Sequence, residues 1–173
     1  MSRLSTLSPT ALKAMFSPES SDTLIMLFTL YDDSGDVTKT IRLADGYTQR
    51  LSETDRDITY GVVSRGKEYA FLPISVTLPS EDDSSSPRCS LTINDVTKIL
   101  VPIIRTITNP PKVLMEMVLA SSPDIVEASF PGFYISNFTY NAESVQADLS
   151  MINFSAEPFP AYTFTPAYFP GLF

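Results

Sequence analysis

Apolar and polar positions along this chain alternate with the period of a strand far more often than with that of a helix. Residues 88–94 set the pattern: Cys89, Leu91 and Ile93 fall on one face, Ser90 and Thr92 on the other, as in a half-buried strand. Val145, Ala147, Leu149 and Met151 alternate in the same way with Gln146, Asp148 and Ser150. Shorter alternations follow Val37, Lys39, Ile41 and Leu43, and Ile74, Val76 and Leu78. Residues 23–31 and 113–119 are apolar runs bounded by turn residues and read as buried strands. Residues 58–64 and 68–71 flank Arg65-Gly66-Lys67 as a hairpin. Residues 125–130 form another strand, and Phe133, Ile135, Phe138 and Tyr140 read as a strand whose phase slips at a bulge. Turns are expected at residues 32–36, at 121–124, at Pro131-Gly132 and at 141–144, with a polar connection over 44–57. The result is an antiparallel meander.

Two stretches have helical period instead. Val96, Ile99, Leu100, Ile103, Ile104 and Ile107 make one apolar stripe over residues 95–107. Asn94 or Asp95 can cap its start, and Asn109-Pro110-Pro111 stops it. Pro102 sits in its middle. Proline there costs about 3 kcal/mol, whereas each buried aliphatic side chain is worth roughly 1.5–3 kcal/mol before entropy. The stripe outweighs the proline, so the expectation is a kinked helix. Near the start, Ser8-Pro9 can open a short helix carrying Leu12, Met15 and Phe16 on one side and ending before Ser17-Pro18. So short a helix is unstable alone. It must pack on its own sheet or on a neighbouring chain.

Composition narrows the chemistry. A length of 173 residues suits one domain with a real core, and 43% hydrophobic residues argue against disorder. The net charge of −8 disfavours clamping nucleic acid through phosphate neutralisation. There is no histidine, and Cys89 is the only cysteine. That excludes, within this chain, a disulfide, a Cys/His zinc site and any mechanism resting on a His base. Cys89 reads as a small buried hydrophobe. The Asp residues near Gly35 lack the spacing and closing Glu of an EF-hand and read as a turn. Paired acids such as Glu53 and Asp55 suggest a hydrolase only weakly, since acids on polar connections are usually solvated. No catalytic residue, cofactor site or metal ligand is assigned. No apolar run reaches membrane-spanning length and no signal-peptide pattern opens the chain, so the expectation is a soluble protein made inside the cell, without a membrane anchor. The serine-rich acidic loop at residues 80–87 should be exposed, or serve as an arm that orders in an assembly.

Residues 153–173 differ from all of this. Phe154, Phe159, Tyr162, Phe164, Tyr168, Phe169 and Phe173 are interleaved with Pro158, Pro160, Pro166 and Pro170. Proline at that density favours an extended arm. So many rings must cover either the protein's own sheet or a partner. Phe159, Tyr162, Phe164, Tyr168, Phe169 and Phe173 are therefore the candidate assembly contacts. The chain divides into an extension at 1–22, a main domain at 23–152 with its helix near 95–107, and the arm at 153–173.

The order of these signals resembles the minor tail proteins of long-tailed bacteriophages, in a group usually catalogued only as a domain of unknown function. The matching residues are Glu68-Tyr69-Ala70-Phe71-Leu72-Pro73-Ile74, then Thr77-Leu78-Pro79, then Ser86-Pro87-Arg88 through Leu91-Thr92-Ile93-Asn94-Asp95-Val96, then Val118-Leu119-Ala120-Ser121. The most specific part is the ending, Glu157-Pro158-Phe159-Pro160 through Phe164-Thr165-Pro166 to Phe169-Pro170-Gly171-Leu172-Phe173. The match covers about residues 58–173. The Pro-Ile, Pro-Arg and Asn-Val pattern is similar to the N-terminal part of minor tail protein L of lambda-like phages, whose iron–sulfur module one cysteine could not hold. The resemblance implies a mainly β (α+β), tail-tube-like fold: an antiparallel β-sandwich or split barrel with one packed helix. It also implies a tail-tip or baseplate protein of the virion, a distal tail ring, hexameric by the resemblance, built of copies of itself. Its partners would be the tail tube protein, the tail hub protein and the tape-measure protein, with DNA passing through its channel without specific binding. The alternative is a non-catalytic β-sandwich that binds carbohydrate or peptide, with Tyr47, Tyr60 or Tyr134 stacking on the ligand.

Overall fold

A computed structural model describes residues 7–20, 22–31, 40–53, 58–77, 88–94, 110–141, 144–151 and 171. One helix, α1 (Pro9–Phe16), precedes ten strands: β1 (Leu24–Tyr31), β2 (Ile41–Ala44), β3 (Gln49–Glu53), β4 (Ile58–Ser64), β5 (Lys67–Phe71), β6 (Ile74–Thr77), β7 (Arg88–Ile93), β8 (Lys112–Leu119), β9 (Ser122–Tyr140) and β10 (Val145–Met151). The strands form one sheet in the order β3-β4-β5-β2-β1-β8-β9-β10-β7-β6. Its pairings are antiparallel except for β2 and β5, which run parallel. The fold is mainly β, and the sheet is mixed and not closed into a barrel. The kinked helix expected at 95–107, the acidic loop and the turn at 32–36 lie outside the described residues. Among the described residues no helix is long and apolar enough to cross a membrane.

β1 is buried on both faces. Met26, Phe28 and Leu30 belong to one core with Leu43, Leu91, Val113, Met115, Phe133 and Leu149. Ile25 and Leu27 belong to a second core with Ala44, Val62, Tyr69 and Val118. Successive strand residues point to opposite faces, so the two cores lie on opposite sides of β1.

Covering both faces makes the sheet roll. β5 and β6 lie seven places apart in the strand order, about 34 Å in a flat sheet. Only Leu72 and Pro73 join them, and three residue steps reach no more than about 11 Å. The two strands are nearly continuous: Leu72 N–H donates to Ala44 O (3.0 Å), extending the β2–β5 ladder, and Asn94 N–H donates to Pro73 O (2.9 Å), extending β6–β7. Pro73 has no N–H to pair and marks the corner where the chain changes partner. A second roll brings the β4–β5 turn over the other face of β8 and β9. The Arg65 amide donates to the Asp124 carboxylate of β9, although four strand spacings, about 19 Å when flat, separate β5 from β9.

Most expected strands are present, with three differences. The polar connection at 44–57 contains β3, an edge strand that is exposed except at Leu51. It carries no apolar alternation because neither face is deeply buried. The turn expected at 121–124 is there but falls at Ala120-Ser121, so that Ser122, Pro123 and Asp124 already belong to β9, and Pro131-Gly132 is not a turn but part of that same long strand. Pro131 and Gly132 sit in a bulge between the Met115–Phe130 and Val113–Phe133 pairs, with Gly132 at φ 86°. A bulge tolerates both the missing donor and the positive φ. The anticipated slip between Ile135 and Phe138 is a second bulge, opposite Asp148 and Leu149.

The β4–β5 hairpin turns on Arg65 (φ 51°) and Gly66 (φ 71°), the left-handed pair that a tight two-residue hairpin requires. Gly61 has a different reason: a Cβ there would lie 2.0 Å from Tyr69 O and 2.5 Å from Leu51 Cδ1, whereas one at Gly66 meets nothing within 4 Å. Gly61→Ala should therefore force β4 from β5 and destabilise the fold by about 3 kcal/mol. Gly66→Ala should cost about 1 kcal/mol from its backbone angle. Urea unfolding of the two variants checks the order.

Candidate assembly surface

The arm residues Phe159, Tyr162, Phe164, Tyr168, Phe169 and Phe173 lie outside the described residues. The described surface offers other groups. Tyr47 follows the Asp45-Gly46 corner after β2. That corner is held by the Met26 amide, which donates to Asp45 Oδ1 (2.8 Å), and by Asp45 N–H, which donates to Met26 O (3.2 Å). Burial raises the Asp45 carboxyl above its ordinary value of 3.8, and the Met26 amide opposes that rise. Thr48 N–H donates to Gly61 O (3.0 Å) and lays the segment along β4.

This places Tyr47 5.2 Å from Tyr60 of β4 and 5.2 Å from Phe71 of β5, ring centre to ring centre. These are the separations of tilted and edge-on ring pairs. Tyr47 and Tyr60 remain 57% and 43% exposed, so they form a small aromatic platform near the β3 edge. Tyr134 is not part of it; it lies on β9 opposite Lys112 and Ser150. Glu53 pairs with Arg50 at 2.9 Å in an exposed contact, the solvated arrangement expected of that acid, while Asp55 lies outside the described residues. A shallow cleft of about 530 Å³ opens between β7, β9 and β10, lined by Ser90, Ser136, Asp148 and Ser150. Among the described residues no three His, Cys, Asp or Glu side chains are grouped to hold a metal.

Two carboxylates tie distant elements to the sheet. Glu116 of β8, 6% exposed, accepts both arms of the Arg65 guanidinium, with Nη1 to Oε1 at 3.0 Å. Those hydrogen bonds raise the Arg65 pKa further, against a smaller opposing effect of burial. Tyr69 OH lies 3.4 Å from Thr29 Oγ1 on the same face. Glu127 of β9, 2% exposed, accepts from the Ser8 amide (2.7 Å) and hydroxyl (2.6 Å). Ser8 is also the N-cap of α1, its hydroxyl accepting from the Ala11 amide at 3.1 Å with Pro9 at the first helical position. The helix thus packs on its own sheet, yet Met15 and Phe16 stay exposed.

Both ties escaped the sequence pattern, since their partners are 51 and 119 residues apart. A usable signal existed: Glu116 interrupts an otherwise apolar strand, and a charge buried there needs a partner. Cys89 is buried as expected, and burial pushes its thiol up to about 11.

Compared with known proteins, the chain matches no protein-family model and no curated sequence.

Arg65→Ala should destabilise the fold by about 2 kcal/mol, because it strands a buried carboxylate. Glu116→Leu should cost less, because it removes the charge itself. Thermal melts at neutral pH decide the order. Cys89 should resist a soluble disulfide reagent at pH 8 in the native protein and react within seconds in 6 M urea, since the thiolate is the attacking form; absorbance of the released thiol reads both rates.

Proposed function

We propose that this chain is a structural component of a phage tail tip, a ring protein that joins the tail tube to the central hub and lines part of the channel for DNA and tape-measure protein. The observation that carries this reading is the coincidence of the resembling residues with the rolled part of the sheet. Glu68-Tyr69-Ala70-Phe71 lies in β5, Pro73-Ile74 is the corner into β6, Arg88 through Ile93 is β7, and Val118-Leu119 ends β8. A sheet rolled around the Phe28 core supports a tube-like sandwich or split barrel, beside which the resemblance puts the helix expected at 95–107. Net charge −8 suits a channel wall that DNA passes without adhering. The aromatic arm at 153–173 then seals one subunit to a neighbour, and the protein resides in the virion.

The platform of Tyr47 and Tyr60 favours a second reading, a carbohydrate- or peptide-binding module without catalysis. Exposed rings in one cluster suit stacking on a ligand. A glycan array with no hits removes that reading.

Deleting residues 161–173 should leave a folded domain that no longer assembles, seen as an unchanged circular dichroism spectrum with loss of rings in electron micrographs. An insoluble or unfolded product would place the arm in the core instead. Mass spectrometry of purified virions should detect the protein, and its absence there overturns the tail-tip reading.

A further inference from the structure

α1 is weakly secured. It buries Ala11 alone, while Met15 and Phe16 stand 57% and 77% exposed. Beyond the burial of Ala11 and the half-burial of Leu12 and Ala14, its hold on the sheet is the polar contact of Ser8 with Glu127, and among the described residues Glu127 receives its hydrogen bonds from Ser8. Each side needs the other. An eight-residue helix does not persist alone, and a buried carboxylate without donors is costly. Nothing in that chemistry requires both to belong to one chain.

The start of β1 is secured separately. The Asp22 carboxylate accepts from the Ser121 amide (3.2 Å) and hydroxyl, and Ala120 N–H donates to Thr23 O (2.9 Å). Release of α1 therefore leaves β1 in the sheet. Residues 17–21 connect the two, and Ser17 already leaves the helix extended, at φ −77° and ψ 134°. From Phe16 to Asp22 the chain can stretch about 20 Å, enough for α1 to cross to an adjoining subunit.

We propose that α1 is an exchanged arm: Ser8 of one copy docks on Glu127 of a second copy of this chain, and Met15 and Phe16 are covered at that junction. This rests on the assembly reading above and names the surfaces that assemble. Arm and receptor are different surfaces of one chain, so each copy gives its arm to the next and the contact can close a ring. The exposed side chains of α1 then have a purpose that docking within one chain leaves unfilled.

Two full-length variants test it. Ser8→Ala keeps the receptor but leaves only the backbone amide of the latch; Glu127→Gln keeps the latch but leaves the receptor one neutral acceptor oxygen. Each alone forms a weakened contact, but in an equal mixture Ser8 of the second can reach Glu127 of the first. Native mass spectrometry and light scattering should show an assembling wild type, single variants weaker by about tenfold or more, and mixed pairs of the two variants. Circular dichroism verifies that both retain the sheet. Variants that assemble like wild type, or a mixture no better than its components, overturn the exchange and leave the tail-tip reading untouched. A wild type that stays monomeric also overturns the exchange; the virion composition separately decides the tail-tip reading.

Discussion

Burial of β1 on both faces is the constraint on which the rest of the structure depends. Leu27 and Phe28 are adjacent in sequence, are fully buried and point to opposite sides. Each such side chain contributes roughly 1.5–3 kcal/mol only if its own face is covered. A flat sheet cannot cover both faces of its central strand with its own strands. The chain meets the requirement by rolling β6 and β7 toward one side and the β4–β5 hairpin over the other. Pro73 is the corner of the first roll, and the Arg65 turn is the tip of the second.

Buried carboxylates hold the elements that hydrophobic burial alone would leave loose. Glu116 and Glu127 occupy neighbouring strands near the centre of the sheet, one answered by the hairpin tip and the other by the helix cap. Each is costly when bare. The carboxylates therefore specify where the hairpin and α1 sit more than they add stability. The same logic separates the two ties. Arg65 is fixed at both backbone and side chain, to Asp124 and Glu116. α1 is held through Ser8 and the buried Ala11 and exposes Met15 and Phe16 at its end, a looser attachment that the proposed exchange draws on.

The proposed role draws on the periphery of this fold more than on its core. The Tyr47–Tyr60 platform, the exposed end of α1 and the aromatic residues of the arm all suit contact with other chains. The cleft beside Asp148 is lined by Thr77, Cys89, Ser90, Ser136, Leu149 and Ser150. A part that works by shape needs a rigid centre and adhesive margins, and the double-faced core supplies the first.

The strands with clear periodicity were legible because their burial is local in origin. β10 alternates and does so in the structure through Leu149, β1 and β8 are apolar runs broken by Thr29 and Glu116 and are largely buried, and the Ser8-Pro9 helix start is a capping motif contained within a few residues. β3 was illegible because an exposed edge strand takes its conformation from its neighbour, not from its own side chains. Pro131-Gly132 misled because the residues that make a turn also make a bulge, and only the partner strand β8 decides between them. The parallel step from β2 to β5, the corner at Pro73 and the two carboxylate ties join residues far apart in the chain. Local pattern thus determined which segments extend and which face of each is apolar. Tertiary structure alone decided which way the sheet rolls and what answers each buried charge, because those outcomes depend on groups that meet only after the strands have paired.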